Sequence, residues 1–224
     1  MIKQKGKSIH SHAAHEDPEE LGSGFTPLTH STEDTLLVPP GYDYRVIIRW
    51  GDPVLADTPA FDPTSQTPAK QARQFGYNAD FIGFLPLPAG SQNADRGLLV
   101  VNHEYVNPEL MFAEWDGTLA GKTRKIVDIE LAAHGLAVVE IQRDSKGVWS
   151  YVPNLPYIRR LTAESPMTIS GPAAGHPWLK TSYDSTGSLA RGTLNNGAAR
   201  PTALTARPCL STFKAIPASA VQGT

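Results

Sequence analysis

The chemistry of this chain concentrates at one strand end. In RGLLVVNHEYVNPELMF an apolar run, Leu98 to Val101, stops abruptly at Asn102, His103 and Glu104. Glu104 offers a carboxylate, Asn102 an amide oxygen and His103 an imidazole, all three being donors that a metal site uses. The same residues also suit a turn that satisfies backbone groups, because strand ends commonly carry polar turn formers. Both uses stay open on the residues alone. Arg159 and Arg160 could grip an anion through paired N–H donors, or could be solvated or salt-bridged. His176, after the small-residue run GPAAG, could face a site or be a hydrogen-bonded structural residue. Asp80 and Asp52 are further carboxylates that turn roles explain equally well. His134 follows a helical pattern and suits the helix C-terminus through its dipole.

The elements that position these groups read as short strands. The turn Pro39–Pro40–Gly41 precedes Tyr42 to Trp50, whose β-branched and aromatic residues predict a strand ended by Gly51, Asp52 and Pro53. Residues 54–74 read as loop, and FGYNADFIGFLPLP as a stretch dense in aromatics and turn formers. Residues 96–105 predict the next strand. Asn107 and Pro108 open one or two helical turns. RKIVDIELAAHG predicts a short helix with Ile126, Ile129 and Ala133 on one face and Gly135 in the left-handed position after its end. Residues 135–144 and GVWSYVP predict two more strands joined by a turn at Asp144 to Gly147. Several short strands separated by turns point to a sandwich, barrel or propeller.

Bulk properties narrow the function classes. The chain has 224 residues, 40% of them apolar, and a formal net charge of −2. That charge gives no electrostatic footprint for nucleic acid. No stretch approaches the ~18 apolar residues of a membrane span. The single cysteine, Cys209, excludes an intrachain disulfide. Residues 1–35 are polar, contain His10, His12, His15 and His30, and predict a disordered or loosely wrapped arm rather than a metal site. The first residues lack an apolar core and a twin arginine, so as written they form no export signal. Gly121-Lys122-Thr123 lacks the preceding strand and the glycine spacing of a phosphate loop. There is no G-x-S-x-G elbow, and His103-Glu104 has no second histidine at zincin spacing.

The order of VPPGYDYRVIIRWGDPV, FGYNADFIGFLPL, GLLVVNHEYVNPELMF, AHGLAVVEI, RRLTAESPMTISGPAAGH and GTLNN resembles the PhoX family of alkaline phosphatases, from about Val38 to Asn196. The resemblance implies a mainly β, propeller-like fold, present here as an incomplete N-terminal part, with an active site at the central channel. It implies phosphomonoester hydrolysis, a Ca²⁺ and Fe³⁺ cofactor, small-molecule phosphate esters as substrates, a monomer and periplasmic export. It makes Glu104 the first choice for a metal ligand, with Asn102 and His103 behind it, and leaves Arg159, Arg160 and His176 as catalytic candidates. Ile158 stands where the family has an asparagine before the arginine pair.

The resemblance breaks at residue 197. Gly197 occupies the place of a family cysteine that ligates iron, and no Asp or Glu follows Asp184. Residues 197–224 are Ala-, Arg-, Pro- and Thr-rich, as a coding sequence read in the wrong frame would be; a genuine divergent tail is the rival reading. The expected division is therefore an arm over 1–35, a propeller part over 36–196 and a divergent tail over 197–224. The expected function is the N-terminal portion of a metal-dependent phosphatase, inactive as this truncated chain and prone to aggregate. The alternatives are a non-catalytic calcium-binding module and a phosphodiesterase-like variant of the same scaffold.

Overall fold

The computed structural model describes residues 26–153 and 156–197, together with the backbone of the strand Phe213–Ala215. It contains two units, Met1–Val46 and Ile47–Thr224. The arm expected over 1–35 and the tail expected over 197–224 lie largely outside the described residues. In the first unit residues 26–46 form neither helix nor strand. Its predicted turn is present: Tyr42 N–H donates to Pro39 O at 3.0 Å, with Gly41 at φ 87°.

The predicted strand Tyr42–Trp50 does not form. Its β-branched and aromatic residues favour extended backbone, but a strand also needs a paired edge. Residues 47–50 dock instead through side chains. Ile48 and Trp50 pack on two different apolar clusters, and Trp50 Nε1 donates to Gln71 Oε1 at 2.8 Å. The segment ends in a turn in which Arg49 N–H donates to Asp52 Oδ2 at 2.7 Å, so Asp52 serves a turn.

The second unit is built around an antiparallel meander. β1 (Ala79–Pro86), β2 (Arg96–His103), β3 (Gly135–Arg143) and β4 (Trp149–Val152) lie side by side in that order. β3 is long enough to pair twice on one edge. Its C-terminal half takes β4, and its N-terminal half takes β5 (Arg159–Leu161). The predicted strands over 96–105, 135–144 and GVWSYVP correspond to β2, β3 and β4. A second sheet places β6 (Pro166–Ile169) between β7 (Leu189–Arg191) and β8 (Phe213–Ala215). No helix among the described residues is long and apolar enough to cross a membrane.

Alternation along β2 sorts its side chains onto two buried faces. Leu99 and Val101 join Val54, Phe75, Ala137, Val139 and Ile158. Leu98 and Val100 join Leu136, Val138, Leu85 and Leu161. The register Val101↔Ala137 and Val100↔Val138 stacks the same alternation on β3. Burying a valine or leucine side chain fully contributes roughly 1.5–3 kcal/mol, so this central pair fixes the sheet.

The described residues also contain three α-helices. α1 (Pro68–Gln71) lies in the region expected as loop; it follows Gln66, and Gln66, Gln71 and Gln74 are all buried and mutually hydrogen-bonded. α2 (Pro108–Met111) starts at Asn107 with Pro108 at its first position, as expected. α3 (Arg124–Ala133) buries Ile126, Ile129 and Ala133, the predicted face. Gly135 follows it at φ 111°, and a Cβ there would lie 2.1 Å from Leu161 O, so only glycine lets the chain pass from α3 into β3.

Candidate metal centre

β2 carries its apolar alternation straight into its polar tip. Asn102 continues the face of Leu98 and Val100, and Glu104 follows just past the end of the strand, its N–H donating to Asn78 O at 3.3 Å. His103 projects to the other face. It is fully buried, edge-on to Phe75 with ring centroids 4.6 Å apart, and its Nε2 accepts from Gly76 N–H at 3.3 Å. Burial, reinforced by the charge of Arg160, pushes its pKa down to about 2, so the ring is neutral. The structure therefore does not bring His103 to the side of Glu104.

Asn102 has no exposed surface. Its Nδ2 donates to Asn196 O at 2.9 Å, while its Oδ1 is buried without a hydrogen-bond partner. Asn196 in turn donates from Nδ2 to Gly135 O at 3.0 Å and also holds a buried, unpartnered Oδ1. These two bonds bring residues 196 and 197 onto the end of β2. A Cβ built on Gly197 would sit 3.2 Å from Glu104 Oε1 and 3.3 Å from Asp80 Oδ2. Asp80 reaches this place because β1 departs from regular register between Ala79 and Ile82, an irregularity that re-aims side chains. Glu104 is half-buried and Asp80 exposed.

The remaining candidates lie elsewhere. Arg159 and Arg160 are neighbours on β5, so their side chains leave opposite faces. Arg159 is exposed and donates to Pro156 O and Ile158 O. Arg160 is buried, and its guanidinium donates to Gln74 O at 2.8 Å, His134 O at 2.9 Å and Ala132 O at 2.7 Å, with Leu161 O also in contact. Burial lowers its pKa to about 9. The arginine pair thus cannot close together on one phosphate in this arrangement; Arg160 ties α3, β5 and the segment before β1. His176 caps the short turn Pro177–Leu179, its Nδ1 accepting from Trp178 N–H at 3.2 Å. His134 Nδ1 donates to Glu130 O at 2.7 Å, the helix-end role expected for it.

The donors around Gly197 are all oxygens. They suit a hard cation such as calcium, though not fully, since calcium takes six to eight oxygens and, among the described residues, no group of three His, Cys, Asp or Glu side chains could hold a metal. They do not suit a thiolate-ligated iron: glycine supplies no sulfur, and Cys209 lies outside the described residues. Asp80 ranked low from sequence because nothing local distinguishes NAD from a turn. Asn196 and Gly197 lie more than ninety residues from Glu104 in the chain, and only the break in the family pattern at 197 marked that place.

The model of the family alkaline phosphatase PhoX matches residues 23–205. Among solved structures, Pseudomonas fluorescens PhoX in complex with vanadate, a transition state analogue, is 37% identical with a TM-score of 0.67. The match covers 78% of this chain and 29% of that one, so this chain spans less than a third of the neighbour's length. No curated protein matches. The mainly β, antiparallel architecture is accordingly β-propeller-like, without a closed ring among the described residues.

Proposed function

This chain belongs to the alkaline phosphatase PhoX family, and on that premise we propose that it carries one side of a metal-dependent phosphomonoesterase centre, with Glu104 as its metal ligand. The observation that carries this reading is the meeting of Glu104 and Asp80 over Gly197. Hydrolysis of a phosphomonoester needs the non-bridging charge neutralised and a water activated, which bound metal ions supply. Glu104 and Asp80 would hold such ions, and the buried β2–β3 pair beneath Asn102 would keep the carboxylate in place. The solved neighbour's complex with vanadate, a transition state analogue, supports phosphoryl chemistry for that protein; small phosphate monoesters are the substrates we propose here. Family membership likewise supports export to the periplasm.

We also propose that the chain itself does not turn over substrate, because residue 197 offers no thiolate. The test uses Ca²⁺-loaded protein. Inorganic phosphate should bind by isothermal calorimetry, p-nitrophenyl phosphate should not be hydrolysed, and Glu104→Gln should abolish phosphate binding. Phosphate binding that survives Glu104→Gln, or a preference for bis(p-nitrophenyl) phosphate, would overturn the reading, the latter in favour of a phosphodiesterase.

A further inference from the structure

We propose that this chain forms a symmetric dimer through the open edge of β1, the strand pairing antiparallel with the same strand of a second copy. The dimer departs from the monomer that the family resemblance implies, and it does not depend on the metal centre.

Among the described residues β1 pairs only with β2, so its other edge is unpaired. The ladder shows which groups that edge offers. Leu87 N–H donates to Arg96 O at 2.9 Å, which makes 87 and 96 a hydrogen-bonded pair. Two and four residues back, Leu85↔Leu98 and Gly83↔Val100 therefore also turn their backbone groups toward each other. Ile82 and Phe84 alternate with them and turn their N–H and C=O groups outward. Their side chains are exposed as well, by 56% and 40%. Edge strands are normally protected by charge, by proline or by being short. β1 has eight residues, and residues 81–85 hold neither charge nor proline. At the other end of the meander β4 has only four residues.

A second copy fits this edge because the edge is complementary to itself. Antiparallel pairing about a two-fold axis at Gly83 sets Ile82 opposite the second copy's Phe84, and Phe84 opposite its Ile82. Both cross-strand pairs join an aromatic to a β-branched residue, a favourable combination. The outward N–H and C=O groups of residues 82 and 84 then satisfy one another. Gly83 falls on the axis, at a position where facing strands approach most closely, and it has no side chain to hold them apart. The same register sends the two Asp80 carboxylates to opposite ends of the pair, so like charges do not meet. Phe84 is placed before association: its ring lies over Gly97 and edge-on to Trp149, with centroids 6.0 Å apart, which lowers the cost of ordering it on binding. A two-fold pair uses both β1 edges and closes at two chains. One strand of eight residues is small beside the roughly 20–30 residues a side of a standard interface, so the dimer is reversible and grows with protein concentration.

The experiment is sedimentation velocity of the full chain over a concentration series, with amide hydrogen exchange on the same samples. The parent should pass from monomer to dimer and no further, and the N–H groups of Ile82 and Phe84 should gain protection as it does. Ile82→Asp and Phe84→Lys each put a charge into both apolar pairs of the dimer, and each should weaken it about tenfold or more. The two variants mixed should recover a dimer. In that mixed dimer one cross-strand pair is still Ile82 against Phe84, and the other sets the new carboxylate against the new ammonium. The proposal is overturned if the parent stays monomeric, which would leave the edge to a strand of a different protein, or if it associates without limit. It is equally overturned if residues 82 and 84 gain no protection on dimerisation, if both variants dimerise as the parent does, or if the mixture of folded variants recovers nothing.

Discussion

Arg160→Ala should destabilise the chain severely, whatever it does to phosphate. The guanidinium is buried and donates at 2.7–2.9 Å to three carbonyls, those of Gln74 before β1 and of Ala132 and His134 at the end of α3. A hydrogen bond from a charged donor contributes about 1.5–3 kcal/mol net, and carbonyls left buried without partners cost more still. Three bonds at the low end give a loss of about 4–5 kcal/mol, offset only by relief from burying the charge. That approaches the 5–15 kcal/mol that holds a typical domain together. Urea denaturation followed by tryptophan fluorescence measures it, and Arg160→Lys should fall between, since one ammonium cannot span the same three acceptors in a fixed fork. Two results would refute the reasoning. A variant with an unchanged urea midpoint would show that the carbonyl contacts contribute nothing. A variant with unchanged midpoint and lost phosphate binding would return Arg160 to the anion-gripping role.

Two further perturbations probe other parts of the fold. Gly76→Ala would drive a Cβ to 2.4 Å from His103 Cγ and 2.5 Å from Ala133 O; overpacking of this kind costs about 1–3 kcal/mol, and thermal denaturation should register it while the exposed mutation Ala113→Gly does not reproduce it. Asp184 accepts from Thr186 Oγ1 and from the N–H groups of Thr186, Ser188 and Leu189, which hold its carboxyl well below the usual carboxylate range. The folded state therefore favours the ionised form. Its stabilisation is fully present above the unfolded value near pH 4 and drains away as pH falls below it. The stability gap between the parent and Asp184→Asn should accordingly narrow on moving from pH 7 to pH 3; a gap independent of pH would count against this.

The parts of the fold legible in the sequence are those whose signals are local. α3 announced itself through Ile126, Ile129 and Ala133 and the glycine at 135. β2 and β3 did so through apolar runs, and β4 through Trp149, Tyr151 and Val152, each bounded by turns. β1 was not legible as a strand, because its aromatics and Gly83 look like turn material and its register is irregular near Ala79. β5, β6 and β7 are three or four residues long and exist only because a distant edge accepts them. The opposite error, at Tyr42 to Trp50, has the same root: composition offered a strand, and the partner edge that makes one was not there.

For the site, one signal was available in the sequence and decides more than residue type does. Consecutive residues in extended chain face opposite ways. Asn102, His103 and Glu104 could never have formed one cluster while the strand stayed regular. Parity groups Asn102 with Leu98 and Val100 and sends His103 to the other face, where it packs on Phe75 and Gly76. The same parity separates Arg159 from Arg160 once that segment is extended. Parity cannot supply the third side of the site, since Asp80 arrives through a register irregularity and Gly197 through hydrogen bonds made by Asn102 and Asn196. It also cannot say which face is wet. That is settled by Phe75 and Gly76 closing over His103.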